Sequence, residues 1–175
     1  MKTSISKMAV AIAIAFAATV QTFAQTTHIR NVELSAYNKI QVSIDTEVIL
    51  LKSKRNHVTL VGDSAYIAAI PVISEESILS MNYQFEPDAK LKKVVIEYTA
   101  LDHATTGGNG TYYFHNLQED DLVVFNPYAN VVMTGKTDNI RIVSQEGVTD
   151  LTALNTQKRV LHIGESAMLV TNKAQ

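Results

Sequence analysis

Short apolar runs that recur at a nearly constant spacing constrain the fold of this chain more than any other feature. The runs begin at Leu122, Ile140 and Val160, about 18 and 20 residues apart, and each is followed by a small-residue corner and a second apolar segment. That period fits a coil of two short strands and two turns, stacked on its neighbour about 4.8 Å away. Because one coil cannot bury its own apolar face, several must stack. The spacing therefore predicts a β-solenoid or a solenoid-like arrangement.

The N-terminal part of the chain has a different strand pattern. Residues 40–44 alternate apolar and polar side chains, and an apolar stretch follows at residues 48–51. Residues 52–56 are polar, and residues 57–61 again have strand character. A strand, a polar turn and a returning strand predict a β-hairpin.

One short helix is predicted over residues 64–70. Ser64 can cap its start, alanines favour the helix, and Pro71 ends it. The predicted fold is thus all-β: an N-terminal β-hairpin region with one short helix, leading into a short right-handed parallel β-helix or solenoid-like stack.

The spacing of the apolar runs is interrupted between Val94 and Leu122, which lie further apart than the later runs. The excess falls on residues 105–110, two threonines followed by a glycine-rich stretch. Surface loops tolerate insertions. The sequence therefore predicts an insertion loop here.

The N-terminus has the order of a secretory signal peptide. Lys2 and Lys7 precede an apolar stretch over residues 8–20, and a small residue, Ala24, precedes Gln25. The stretch is too short and too rich in alanine for a membrane span. We expect residues 1–24 to be a signal peptide, 25–36 an N-terminal leader and 37–173 a single β domain, exported to the periplasm, the cell surface or the medium.

Composition excludes several classes of function. The chain has 15 basic and 17 acidic residues, and cleavage after Ala24 removes two of the lysines. A mildly acidic domain without clustered cations disfavours nucleic acid as a partner. No cysteine is present, which excludes disulfides, thiolate metal sites and a lipid-modified cysteine. The sequence has no second long apolar run that would predict a membrane span.

These features together resemble the family named "putative auto-transporter adhesin, head GIN domain", exported β-proteins of Gram-negative bacteria. The matching pieces are residues 37–43 with the hairpin region through residues 58–63, the short helix after Gly62 and Asp63, and the repeated runs from Val94 to Val170. The resemblance covers most of residues 37–171. It implies surface adhesion and supplies no catalytic or binding residues.

Side chains that could carry catalysis or bind a metal are sparse. The five histidines do not form close metal-ligand pairs, and His162, which alternates with two apolar neighbours, is expected at the surface. Residues 119–121 form an acidic cluster, more consistent with a solvated turn than with a calcium loop or a glycan-cleaving pair. We predict no catalytic residues, no metal ligands and no cofactor.

The aromatic residues beside the glycine-rich stretch are the best candidates for ligand contact. Tyr112, Tyr113 and Asn109 combine aromatic faces with a polar rim, which can stack on a sugar ring or bury in a partner protein. Strand alternation sends Tyr113 to one face and Tyr112 with Phe114 to the other. One of these faces is expected to be core.

The function predicted from the sequence is a non-catalytic exported protein, an adhesin-like or cell-envelope binding or structural module. Its expected partner is a glycan or a surface protein, and its solenoid ends could also self-associate. The alternative is a polysaccharide-acting enzyme, a lyase or hydrolase on a β-helix scaffold. Such an enzyme needs acidic residues beside a Lys or Arg, and the repeated runs offer Arg141, Lys158 and Arg159.

Overall fold

The computed structural model describes residues 27–82 and 91–172, and these are mostly β-strand. Strand makes up 73 % of the structure, and the described residues include one short helix. The strands are β1 (His28–Glu33), β2 (Lys39–Ser43), β3 (Glu47–Lys52), β4 (His57–Gly62), β5 (Ile73–Glu75), β6 (Ile78–Asn82), β7 (Leu91–Tyr98), β8 (His103–Gly107), β9 (Thr111–Asn126) and β10 (Asn130–Val170). The helix, α1 (Ser64–Ala69), lies between β4 and β5. The predicted all-β class with one short helix is confirmed.

The described strands form a single ten-stranded sheet, curled like half of a barrel. Its order is β1-β4-β7-β3-β9-β8-β2-β6-β5, and β10 pairs with β9. Antiparallel pairs join β1 to β4, β4 to β7, and β5 to β6. Every other described pairing is parallel. The antiparallel pairs are thus confined to the strands from the N-terminal part of the chain and β7.

Parallel stacking at a spacing of 18 residues characterises the C-terminal half. Ile140 and Ile142 of β10 pair with Leu122 and Val124 of β9. The same separation recurs within β10, where the Val148 backbone N–H donates to Asn130 Oδ1 at 3.0 Å, 18 residues earlier. The predicted spacing of the runs at Leu122 and Ile140 is therefore confirmed.

The order of strands in the stack differs from their order in the chain. β2 lies between β6 and β8, and β3 lies between β7 and β9. A segment from the beginning of the domain is therefore covered on both sides by segments that follow it in the chain. This arrangement requires the later strands to be in place before β2 and β3 have all their partners.

The core lies on the concave side of the sheet, where alternate side chains of each strand converge. Its largest fully buried members are Tyr98, Tyr112, Phe114, Ile44, Leu50, Leu60, Ile70, Leu79, Met81, Ile96, Leu101 and Leu117. Burial of each such side chain contributes roughly 1.5–3 kcal/mol before entropy is subtracted. With no cysteine, this apolar layer and the strand hydrogen bonds hold the fold together.

The predicted β-hairpin is wrong in its pairing, although both strands and the polar turn are present. β3 and β4 do not pair with each other, because β7 lies between them and pairs with both. Neighbouring strands are about 4.8 Å apart, so a chain that passes over an intervening strand must span about twice that distance. The polar stretch after Lys52 spans it, and the Ser53 backbone N–H donates to the Tyr98 carbonyl of β7 at 2.8 Å.

The predicted insertion loop over residues 105–110 is also wrong. Residues 103–107 form β8, which pairs in parallel with β2 and with the second half of β9. Gly108 has a φ of +74° and begins a tight corner that leads directly into β9. A Cβ at Gly110 would collide with backbone atoms of Thr46 and Ile44 in the neighbouring corner. The glycines therefore serve close packing of two corners.

Helix α1 ends where the sequence predicts, but its N-cap lies one residue earlier than expected. Its N-cap is Asp63 rather than Ser64, without a side-chain capping hydrogen bond, and its C-cap is Ile70, directly before Pro71. Ile67 and Ile70 are buried. Arg30 NH1 of β1 donates to the carbonyls of Ile67 and Ile70 at 2.8 Å each, which satisfies the C-terminal end of the helix.

The predicted signal peptide, residues 1–24, lies outside the described residues. Part of the predicted leader, residues 28–33, is β1 and pairs with β4 at one edge of the sheet. In the described part of the chain, no helix has the length and apolar character that a bilayer crossing requires.

Candidate functional site

Tyr112, one of the three residues predicted to contact a ligand, lies in the core with no exposed surface. Its hydroxyl oxygen lies 2.7 Å from the Gly107 carbonyl and 2.9 Å from the Val42 carbonyl, and it accepts the Ile44 backbone N–H at 3.2 Å. Burial raises the pKa of the Tyr112 hydroxyl above its ordinary value. The side chain thus ties the glycine corner to β2, out of reach of a ligand.

Tyr113 lies on the opposite face to Tyr112 and Phe114, as alternation predicts, and points to the convex side of β3, β7, β9 and β10. It pairs across the sheet with Ile49 of β3 and Val132 of β10, and its ring stacks near His115 with centroids 6.0 Å apart. Apolar neighbours leave Tyr113 half-buried. Part of its side chain is therefore accessible to a ligand.

Asn109 is exposed at the corner between β8 and β9. Its backbone N–H donates to Asp45 Oδ1 at 2.6 Å, which joins this corner to the corner between β2 and β3. The side chain is accessible to a ligand. Of the three predicted contact residues, the structure therefore leaves Tyr113 and Asn109 with accessible surface.

A second outer surface carries exposed aromatic rings that sequence reasoning missed. Cross-strand pairing aligns Gln41 of β2, Thr105 of β8, Phe125 of β9 and Val143 of β10 in one row. Phe125 is 39 % exposed and Tyr128, in the corner after β9, is 55 % exposed. We call this row together with Tyr128 the aromatic face. Alternation could have revealed Phe125, because the inward position of Val124 turns its neighbour outward.

A shallow notch of about 170 Å³ lies beside Tyr128 on the aromatic face. Its polar lining comes from Gln41, Ser43, Asn82 and Thr105, and Tyr128 with Pro127 forms one wall. Amide and hydroxyl groups next to an aromatic ring provide both hydrogen bonds and an apolar contact. That combination suits a polyhydroxylated ligand.

A larger groove of about 490 Å³ continues along the same outer surface. It is lined by Asp121, Leu122, Val123, Asn139, Ile140, Arg141, Lys158 and Val160, and we call it the basic groove. Arg141 and Lys158 are exposed, and among the described residues neither forms an ion pair. Two cations thus face the groove against one carboxylate, Asp121.

The acidic cluster at residues 119–121 lies within β9 rather than in a turn. Glu119 accepts an ion pair from Lys52 Nζ at 2.8 Å, so this carboxylate joins β9 to β3. Asp120 and Asp121 are exposed. No group of three acidic or histidine residues in the described part of the chain is placed to hold a metal ion.

A polar cluster near the end of β1 was also missed by sequence reasoning. His57 is buried, with Nδ1 3.2 Å from Glu97 Oε2 and Nε2 3.7 Å from Glu33 Oε1. Arg55 donates to Glu97 through Nε at 3.1 Å and NH2 at 2.8 Å, and these bonds lower the pKa of the Glu97 carboxyl. The cluster joins β1, β4 and β7, and its members are already paired with one another. His162 is exposed, as predicted.

Three solved structures share this fold. A "putative adhesin" of Bacteroides fragilis NCTC 9343 aligns over 85 % of this chain and 98 % of its own, with a TM-score of 0.66 and 11 % sequence identity. A "putative adhesin" of Parabacteroides distasonis ATCC 8503 covers 83 % of this chain and 82 % of its own, with a TM-score of 0.56 and 13 % identity. One of Parabacteroides merdae ATCC 43184 covers 82 % and 80 %, with a TM-score of 0.52 and 12 % identity.

No family model and no curated protein sequence matches the chain. At identities of 11–13 %, the three structural likenesses establish a common fold. They leave the ligand to be inferred from the surface of this chain.

Proposed function

We propose that this protein is an exported, non-catalytic, adhesin-like binding module that holds a surface glycan on its aromatic face. The observation that carries the proposal is the exposure of Phe125 and Tyr128, 39 % and 55 %, on one outer surface of a parallel sheet. Exposed aromatic rings that lie together on one surface are enriched where proteins bind partners.

The surroundings of the two rings favour a sugar as the ligand. An aromatic ring packs well against the apolar C–H face of a pyranose, and the Gln41, Asn82 and Thr105 side chains of the notch can bond its hydroxyls. The strands beneath are joined by cross-strand hydrogen bonds on both sides. A surface held in this way loses little entropy when the ligand binds.

The similarity of fold to three proteins described as adhesins supports a binding function over a polysaccharide-cleaving one. A glycan hydrolase needs an acid and a base across one bond, usually two carboxylates. Among the described residues, the linings of the notch and of the basic groove include one carboxylate, Asp121. We therefore expect the purified protein to leave polysaccharides uncleaved.

The test is a glycan-array screen of residues 25–175, followed by titration of the best ligand. Phe125→Ala with Tyr128→Ala should weaken binding about tenfold or more, since each stacked ring contributes roughly 0.5–1.5 kcal/mol beyond its buried area. Tyr113→Ala is the matched control, because it removes an aromatic ring from another part of the convex surface. It should bind as wild type does.

The Phe125 and Tyr128 variant could bind as wild type does while Tyr113→Ala or Asn109→Ala loses binding. That result would show that the ligand contacts the residues first predicted from the sequence. Release of shortened sugars from a bound polysaccharide would contradict the non-catalytic function and favour the alternative, a polysaccharide-acting enzyme. Circular dichroism of each variant separates loss of contact from loss of fold.

Export belongs to the same proposal. The basic, apolar and small-residue order of residues 1–24 supports removal of that segment after Ala24. Intact-mass measurement of protein recovered from periplasm and medium should give a chain that begins at Gln25. A full-length species held in the inner membrane would contradict export.

We further propose that the parallel part of the sheet is a short right-handed β-helix. The recurrence of contacts at 18 residues in β9 and β10 supports successive turns of such a helix. A crystal structure would test the handedness, and a left-handed or open sheet would contradict it.

Self-association through the last described segment is a second partner proposal. Met168 is 60 % exposed, and Leu169 beside it is half-buried. Apolar surface on a strand is a template for pairing with another chain. Sedimentation equilibrium should show oligomers that Met168→Lys dissociates, and a monomer at all concentrations would exclude this interaction.

A further inference from the structure

We propose that the basic groove binds the carboxylate of an acidic sugar, so that the ligand is a uronate-containing glycan rather than a neutral one. The inference rests on the proposed glycan-binding function and specifies its substrate class. It is carried by the side chains that line the groove and by the position of the groove next to Phe125.

The charges of the groove favour an anion. Arg141 and Lys158 line it and form no ion pair among the described residues, whereas Lys52 and Lys136 are paired with neighbouring carboxylates. Asp121 is the single acidic residue of the lining, so the groove has an excess of one positive charge. The net charge of the groove is therefore positive, whereas the net charge of the protein is negative.

The groove also has a direction. Val123 pairs with Arg141, and two residues earlier on the same strands Asp121 pairs with Asn139, roughly 6.6 Å away along the strand. The planar guanidinium of Arg141 can bind a carboxylate through two parallel hydrogen bonds. Asp121 can accept hydrogen bonds from hydroxyls, and Asn139 can both accept hydrogen bonds from hydroxyls and donate to them. A uronate therefore fits with its carboxylate toward Arg141 and its hydroxyls toward Asp121.

The apolar part of the lining fits the body of the sugar. Val123 and Val160 supply aliphatic surface within the groove, against which a C–H face of the ring can pack. Phe125 lies two residues beyond Val123 on the same outward side of β9. A sugar in the groove thus places its neighbour in the polymer near the aromatic ring, which joins the groove and the aromatic face into one extended site.

The test compares a galacturonate oligomer with its fully methyl-esterified form, which has the same length and ring chemistry but no charge. Titration calorimetry at low ionic strength should give about tenfold tighter binding of the acid. Arg141→Gln with Lys158→Gln should remove that preference, so that the variant binds the acid no more tightly than the ester. Lys54→Gln, which removes a cation from the turn between β3 and β4, is the matched control and should retain the preference.

The outcomes distinguish this inference from the proposed function. Equal binding of acid and ester, with both lost in the Phe125 and Tyr128 variant, would overturn the acidic-sugar assignment and leave the glycan-binding module standing. No binding of either oligomer, but binding to vesicles of anionic lipid that depends on Arg141 and Lys158, would overturn the assignment in favour of a lipid headgroup. Cleavage of the galacturonate chain would overturn the non-catalytic function itself.

Discussion

The two ends of the strand stack are built differently. At the margin formed by β1 and β4, helix α1 packs on both strands, and Ile67 and Ile70 are buried there. At the other end, every residue from 155 to 172 is exposed or half-buried, and Leu154 is the last buried residue among those described.

The difference shows what a stacked sheet needs at its margins. A strand inside the stack has hydrogen-bonding partners and apolar contacts on both sides, but a marginal strand has them on one side only. Antiparallel strands and a helix supply the missing contacts at one end. Among the described residues, no helix or antiparallel strand covers the last segment, so equivalent substitutions should cost more stability near the covered end or inside the stack.

The largest expected effect comes from a buried charge. Val124→Asp or Ile142→Asp places an unpaired carboxylate among fully buried side chains, which costs several kcal/mol against a total stability of about 5–15 kcal/mol. Both variants should unfold the domain. Met168→Asp, at a 60 % exposed position of the last segment, should change stability by no more than about 0.5 kcal/mol. Thermal unfolding followed by circular dichroism measures all three, and an equally damaging Met168→Asp would remove the contrast.

A pair of glycine corners gives the next largest effect. A Cβ at Gly110 would meet backbone atoms of Thr46 and Ile44 inside the stack, and a Cβ at Gly164 would meet the Gln145 carbonyl at 2.6 Å in the last segment. Because the interior corner cannot shift, Gly110→Ala should cost about 1–3 kcal/mol. Gly164→Ala should cost less, since its segment can move outward.

Denaturant midpoints of the two glycine variants provide the measurement. Asn109→Ala, next to Gly110 and exposed, is the control and should unfold as wild type does. Equal midpoints for Gly110→Ala and Gly164→Ala would mean that the interior corner and the last described segment are equally rigid.

Two arginines allow a smaller comparison. Arg30 NH1 donates to the Ile67 and Ile70 carbonyls at 2.8 Å, and Arg159 NH2 donates to the Leu154 carbonyl at 3.0 Å. Arg30→Ala leaves carbonyls of the helix end without a partner and should cost about 1–2 kcal/mol. Arg159→Ala, at an exposed position, should cost about 0.5 kcal/mol or less. Hydrogen exchange should show faster exchange of β1 in Arg30→Ala alone, and undisturbed β1 amides would contradict the bracing role of Arg30.

The smallest effect concerns acid sensitivity at the covered end. Arg55 lowers the pKa of Glu97, so the folded state favours the ionised carboxyl. Its contribution is present above the ordinary glutamate pKa of about 4.3 and is lost as the pH falls through the lowered value. Glu97→Gln should therefore be less stable than wild type near neutral pH, and the two should converge in acid. A stability difference that stays constant down to strongly acidic pH would contradict this origin.

Local patterns were predicted well because they depend on nearby residues. Alternation placed Tyr112 and Phe114 on one face and Tyr113 on the other, and Pro71 ended the helix where expected. Alternation alone did not decide which of the two faces is core, and the structure places Tyr112 in the core. If strand alternation had been applied to Val124, it would have identified Phe125 as a candidate contact residue.

The sequence by itself determined which side chains of a strand share one face, the spacing of 18 residues between the runs at Leu122 and Ile140, and the end of the only helix among the described residues. The tertiary structure alone decided that β7 separates β3 from β4, that β2 lies between β6 and β8, and that the glycine-rich stretch is a corner rather than an insertion. The physical reason is that every strand edge offers the same backbone donors and acceptors, so strand hydrogen bonds do not select a partner. The partner is selected by the packing of the whole core, and that packing also brings Gln41, Thr105 and Phe125 into one surface.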